Sequence, residues 1–380
     1  MTRILILVSL LSFFAISINA ESRPERAILF IIDGLHIDAP ERLNMSHFTD
    51  LAKQGTLINN TTVIMPGHPR VGEYARIHTS SFPNPVTMAG TLFMTPDQTM
   101  LQHRFSNAAF VANSLSYQSI TDGYTFVIQK SGPDEFSIDK SIELLAKNDI
   151  DFMRIHLQNV GSAGNRSTTT DENQPYRHNI WHEESPFVQS VRESDRQLGR
   201  FITALKDLNL WEGTLLIVTS DHGQTDSGWH PLIPQESWLH PTIFYGPGVK
   251  EGHIIEWADQ TDLAPTIARL MNVPAPNDDG GSGRVLKDVM QSETAGQEPS
   301  SSKILELNRI FVRYMLADAE LILKSVDAPY LNTYTMRMEN RFYGLERILE
   351  WKDLGTIDDL IRHNLELVIE MEQTLEEFKQ

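Results

Sequence analysis

Two runs of consecutive apolar residues, each closed by an acid, constrain this chain most. Ala27-Ile28-Leu29-Phe30-Ile31-Ile32 leads into Asp33-Gly34, and Leu215-Leu216-Ile217-Val218 leads into Thr219-Ser220-Asp221-His222-Gly223-Gln224. A short run without polar alternation is the pattern of a strand buried on both faces, as in a parallel sheet between helices. In open α/β sheets the chemistry gathers beyond the carboxyl ends of the strands. Asp221-His222 offers one oxygen and one imidazole nitrogen there, donors suited to zinc or a similar divalent ion. A parallel sheet would bring Asp33 to the same edge, so that two strand ends supply three ligands. Taken alone, Asp33-Gly34 reads as an ordinary turn.

The rest of the pattern fits that sheet. A helix through Phe48, Leu51 and Ala52 stops at Gly55, and a strand follows near residues 56–63. Residues 138–147 read as a helix and 151–157 as a strand. Ser185-Pro186 is a cap followed by proline at the first helical position, opening a helix with Val188, Val191, Leu198, Phe201, Ile202 and Leu205 on one face. Strands at 215–218 and 242–245 and a helix at 262–271 complete an alternation that predicts a largely parallel sheet covered on both faces. The polar stretch between Asn165 and Glu184 reads as a lid or binding loop. Past the Pro-, Gly- and Ser-rich stretch 291–302, a linker, the alternation ends. Residues 304–326 and 357–378 carry helical spacing, an antiparallel pair or triplet, with Thr356 and Asp359 as a capping box.

The first twenty residues stand outside the fold. Arg3, the apolar core 4–18 and Ile18-Asn19-Ala20 have the layout of a cleaved secretory signal peptide, which predicts an exported protein, periplasmic or secreted, with no stable membrane insertion after cleavage. The chain has no cysteine, excluding a thiolate metal site and a Cys nucleophile. A net charge of −18 argues against nucleic acid as a partner. A small phosphorylated substrate stays compatible with it, since a metal inverts the local field.

Ser81 in His78-Thr79-Ser80-Ser81-Phe82-Pro83-Asn84-Pro85 precedes a predicted helix start, where backbone N–H groups favour anions. Its hydroxyl is a candidate nucleophile toward phosphorus; the plainer reading is a helix cap.

Together, Asp33, Ser81-Phe-Pro-Asn84, Asp221-His222-Gly223, Gly246-Pro-Gly248 and Asp262-Leu-Ala-Pro-Thr266 resemble the alkaline phosphatase superfamily, closest to its type I phosphodiesterase/nucleotide pyrophosphatase branch. The resemblance covers about residues 26–292. It implies a three-layer α/β/α domain with a largely parallel sheet. The helical extension at 303–380, read from its own apolar spacing, is a candidate homodimer surface or a cap on the active-site edge. The resemblance makes Ser81 the nucleophile and a metal ligand, Asp33, Asp221 and His222 the rest of that metal's shell, and Asn84 a donor to a phosphoryl oxygen. The metal implied is zinc, with manganese or magnesium as alternatives. His230, closing Asp221-His222-Gly-Gln-Thr-Asp-Ser-Gly-Trp-His230, resembles a second-metal ligand of the ethanolamine phosphate transferases.

The chain departs from that family where a second metal takes an Asp and a His from Asp-x-x-Gly-His. Here the segment is Gly161-Ser-Ala-Gly164-Asn165. Asn159, His156, Asp171 and His178 are the residues that could stand in as ligands, and Arg76, His78, His178 and His230 as donors to the leaving group. The expected activity is hydrolysis of a phosphodiester or nucleotide pyrophosphate through a phosphoserine. The alternatives are an inactive binding protein, a sulfatase (though Pro85 stands where a sulfatase motif needs Arg) and a phosphoethanolamine transferase-like enzyme.

Overall fold

The computed structural model describes residues 23–63, 72–80, 99–117, 120–231, 234–276, 283–293, 301–324, 342–343, 350 and 353–378, with side chains left out at 72–75 and 301. Ser81, Asn84, residues 1–20 and most of the 291–302 stretch lie outside the described residues.

Among the described residues eight strands form one sheet: β1 (Arg26–Ile32), β2 (Thr56–Thr62), β3 (Ala108–Ala112), β4 (Phe126–Gln129), β5 (Phe152–Leu157), β6 (Thr214–Thr219), β7 (Leu239–Tyr245) and β8 (His253–Asp259). Their order is β4-β3-β5-β1-β6-β7-β2-β8. The two apolar runs are central neighbours: Phe30 of β1 pairs with Ile155 of β5 and Val218 of β6, all parallel. Only β7 runs against its neighbours β6 and β2. Residues 220–238 link β6 to β7 and stay at one edge of the sheet, so β7 returns antiparallel; a parallel neighbour would need a crossover.

Helices cover both faces: α1 (Ala39–Arg42), α2 (Ser46–Gln54), α3 (Gly72–Thr79), α4 (Asp134–Lys147), α5 (Asn159–Thr169), α6 (Pro186–Asp207) and α7 (Leu263–Met271). Alternate residues of β1 feed two cores, as the two-residue period of a strand requires. Ile28, Phe30 and Ile32 pack with Phe48, Ile138, Val160, Phe187 and Phe201 on one side. Ala27, Leu29 and Ile31 pack with Ile77, Leu263 and Ile267 on the other. This is the three-layer α/β/α architecture. Ser185 caps α6 by accepting the Phe187 N–H at 3.2 Å.

Several local expectations need correction. The polar stretch from Asn165 begins inside α5, which runs on to Thr169, and only the remainder is loop. Thr356 makes no cap hydrogen bond to the last helix; its hydroxyl donates to the Glu350 carbonyl at 2.9 Å instead. The C-terminal helices α8 (Ser301–Lys324) and α9 (Ile357–Glu377) run in the same direction, so they are not the expected antiparallel pair; the third helix of a triplet would fall between them, mostly outside the described residues. Lys303 pairs with Asp358 near both starts, and Arg313 with Glu372 further along both. Leu307, Ile310, Leu367, Val368 and Met371 form their shared core, which also takes in Trp238 and Trp257 of the α/β domain. No helix among the described residues is long and apolar enough to cross a membrane.

Candidate active site

The parallel register of β5, β1 and β6 places their carboxyl ends side by side, and the loops that leave them meet. Asp33 follows β1, Gln158 follows β5, and Asp221 lies two residues beyond β6. The Gly34 N–H donates to Asp221 Oδ1 at 3.0 Å, and the Gln224 amide donates to the Gly34 carbonyl at 2.8 Å. Gly34 holds a left-handed φ of 62°, a conformation open to glycine without strain. Ser220 locks the same junction: its hydroxyl accepts the Leu35 N–H at 3.0 Å and lies 2.6 Å from the Ile32 carbonyl.

Asp33 and Asp221 are brought together as buried carboxylates, and His156, inside β5, lies between them. One donor atom from each of the three falls within 4.8 Å of the others. Asp33 Oδ2 accepts from the Gln158 amide at 2.8 Å and from the Tyr117 hydroxyl at 3.2 Å, and His156 Nε2 lies 3.2 Å from it. The Tyr117 hydroxyl also bonds Gln158 Oε1. Asp221 Oδ2, fully buried, has no hydrogen-bond partner among the described residues. His222 Nε2 lies 3.6 Å from it and His156 Nε2 3.9 Å.

The electrostatics follow from burial. Desolvation raises the Asp33 carboxyl above its usual range. Desolvation first, and the charge of Asp33 second, raise Asp221. Desolvation and then the Arg154 guanidinium push His156 down to about 3, so this ring is neutral. Two adjacent buried carboxylates repel unless a proton or a cation offsets them. The orphaned Asp221 oxygen, with the His222 nitrogen 3.6 Å away, fits a divalent cation.

His222 turns its Nδ1 to the Gly223 carbonyl at 2.7 Å. His230 packs against it with ring centroids 4.1 Å apart and the planes tilted by 48°, and Trp229 stacks on His230 at 4.0 Å. Asp33, Gln158, Gly161, Asn165, His222 and His230 line a cavity of about 160 Å³. Of the residues named as substitutes for the second metal's ligands, His156 reaches the acid pair. Asp171 and His178 are exposed on the α5–α6 connection. Asn159 bonds Asn113.

Position 161 explains the altered motif. A Cβ built on Gly161 would fall 1.7 Å from Asp33 Oδ1, and one on Gly164 would fall 1.6 Å from Gln224 Oε1. The glycine face of α5 thus occupies the space where longer side chains would have to stand. Tyr117, Arg154 and Gln158 entered the site without having been read from the sequence. A signal existed for two of them: Arg154-Ile-His156-Leu-Gln158 alternates polar residues along one face of a buried strand.

The sulfatase family model matches residues 86–273, just under half of the 380 residues. GPI ethanolamine phosphate transferase 3 of Schizosaccharomyces pombe is 28% identical over 168 residues, covering 41% of this chain and 18% of that protein. Human arylsulfatase A is 33% identical over 105 residues, covering 24% of this chain and 21% of that protein. The match thus spans about a fifth of these curated relatives. A 2-O GAG sulfatase superposes with a TM-score of 0.58 at 15% identity, covering 72% of this chain and 76% of that one. The Silicibacter pomeroyi phosphonate monoester hydrolase gives 0.55 at 15% identity, covering 72% and 79%. Murine ectonucleotide pyrophosphatase/phosphodiesterase 5 gives 0.50 at 16%, covering 67% and 97%. These proteins are named as enzymes of sulfate, phosphate or phosphonate esters. The chain therefore has the fold of the alkaline phosphatase superfamily, and its central segment matches the sulfatase family within it.

Proposed function

We propose that this chain hydrolyses a phosphate ester, a phosphodiester or nucleotide pyrophosphate, with one divalent cation held by Asp33, Asp221 and His222. The observation that carries the reading is the buried Asp33–Asp221 pair at the carboxyl edge of β1 and β6, with one Asp221 oxygen unsatisfied and His222 beside it. When bound, the cation supplies Lewis acidity and lowers the pKa of a coordinated hydroxyl; zinc suits the donor set, and manganese or magnesium are the alternatives.

The nucleophile in this reading is Ser81, outside the described residues. Its hydroxyl gives up its proton to solvent, and the oxygen forms a bond to phosphorus as the ester P–O bond breaks and the leaving oxygen takes up a proton. Water then cleaves the phosphoserine. Asn84 donates to a phosphoryl oxygen. In this reading His230, which lies against His222 on the cavity wall, gives the leaving oxygen its proton. The signal-like first twenty residues support an exported enzyme, working in the periplasm or secreted. A second reading, sulfate-ester hydrolysis, is favoured by the sulfatase match; Pro85 in place of the motif Arg weighs against it.

The test is turnover of a panel of aryl phosphodiesters, phosphomonoesters and sulfates with added zinc or manganese, by the wild type and by Ser81→Ala. Phosphodiester turnover that disappears in the variant supports the proposal. Sulfate turnover alone, no turnover at all, or a variant equal to wild type rejects it.

A further inference from the structure

Arg154 is fully buried in β5, on the same face as His156. One of its terminal nitrogens, Nη1, donates to His78 Nε2, and Nη2 donates to His156 Nδ1 at 2.9 Å. A guanidinium stays charged and has donors only. His156 Nδ1 must therefore present its lone pair, which leaves the ring hydrogen on Nε2. That nitrogen faces the Tyr117 hydroxyl at 2.9 Å and Asp33 Oδ2 at 3.2 Å. An N–H there donates to a carboxylate or a hydroxyl; it has no lone pair for a cation.

His222 is wired the opposite way. A backbone carbonyl only accepts, so the Gly223 contact at 2.7 Å puts a hydrogen on Nδ1 and leaves Nε2, 3.6 Å from Asp221 Oδ2, as the nitrogen that can offer a lone pair to a cation. Two histidines beside one acid pair thus hold different tautomers, each set by the partner of its far nitrogen.

We propose that Arg154 is a positioning residue that fixes His156 as a hydrogen-bond donor, so that His156, Gln158 and Tyr117 orient Asp33 while Asp33, Asp221 and His222, and not His156, serve as ligands. The inference rests on the metal reading above. It assigns a protein-borne charge and a hydrogen-bond clamp to Asp33 Oδ2, while Gly161 packs against Oδ1.

The tautomers can be read directly from long-range proton–nitrogen correlation spectra of histidine-labelled, metal-free protein. His156 should show a protonated Nε2 and an unprotonated Nδ1, and His222 the reverse. Arg154→Met should release His156 to a tautomer mixture. Zinc titration supplies a second readout through His156→Gln, whose amide N–H stands near the former Nε2–H. It should bind one zinc within about threefold of wild type, whereas His222→Ala should lose about 100-fold or more, as expected when a ligand and not its support is removed. An unprotonated Nε2 on His156, or a His156→Gln loss as large as that of His222→Ala, overturns the proposal. If the wild type binds no zinc, the metal reading fails and the spectra still decide the state of His156. If Arg154→Met does not fold, the wild-type spectra and His156→Gln carry the test.

Discussion

Gly161 touches Asp33 so closely that a methyl group at position 161 would stand 1.7 Å from the Asp33 carboxylate oxygen. Asp33 is held by Tyr117, Gln158 and His156 and has little freedom to retreat. Gly161→Ala should destabilise the protein by about 1–3 kcal/mol, the usual range for overpacking, and should weaken zinc binding by moving Asp33. Gly161→Asp should bind no second zinc. Thermal denaturation and metal titration check this; a stable Gly161→Ala with unchanged zinc affinity contradicts it.

The Asp33–Asp221 pair should oppose function and stability. Asp221→Asn removes one of two mutually repelling buried charges. Metal-free Asp221→Asn should therefore melt no lower than metal-free wild type. Saturating zinc should raise the wild-type melting point, by an amount equivalent to about 2.7 kcal/mol at a hundredfold excess over Kd, and should leave Asp221→Asn unmoved. Equal zinc shifts in the two proteins would remove Asp221 from the ligand set.

Asp134, at the start of α4, predicts a pH effect away from the cavity. Desolvation raises its carboxyl to about 7, against backbone and Asn113 hydrogen bonds that lower it. The folded protein then keeps a proton that the unfolded chain gives up above its ordinary carboxyl range. Stability from this group is present at low pH and is lost as pH rises from about 4 through about 7. The full effect is at most about 4 kcal/mol, each pH unit being worth about 1.4. Asp134→Asn should flatten the stability curve between pH 5 and 8, measured by denaturant unfolding. Parallel curves for the two proteins would show that Asp134 does not hold the extra proton.

Met371 and Arg313 separate core from surface in the C-terminal helices. Met371 is fully buried, and Met371→Ala should cost about 2–5 kcal/mol. Arg313 makes two hydrogen bonds to Glu372, at 3.0 and 2.8 Å, from a partly exposed position. Arg313→Ala should cost about 1 kcal/mol or less. Chemical denaturation of both variants gives the comparison, and a reversed ranking would contradict this account of the helix pair.

The sheet centre was legible because β1 and β6 are uninterrupted apolar runs, and burial on both faces leaves no other pattern. Asp33 and Asp221 were legible for the same reason, standing where those runs stop. β8 was not, since an edge strand exposes part of its length and its sequence, His-Ile-Ile-Glu-Trp, carries no long apolar run. The reversal of β7 was hidden because direction depends on whether the preceding loop crosses the sheet, which apolar spacing does not encode. Within the site, the polar alternation of Arg154, His156 and Gln158 was visible, but its meaning needed the neighbouring strands. Tyr117 left no signal; only the fold brings a residue that far along the chain to Asp33.

Trp238 and Trp257 belong to the α/β domain, yet their cover comes from side chains between Ile304 and Leu375. During synthesis these two indoles are made well before the helices that shield them. Until α9 leaves the ribosome, a nascent chain presents this aromatic face to whatever is near, so tryptophan fluorescence of arrested chains should report the moment the last helix docks.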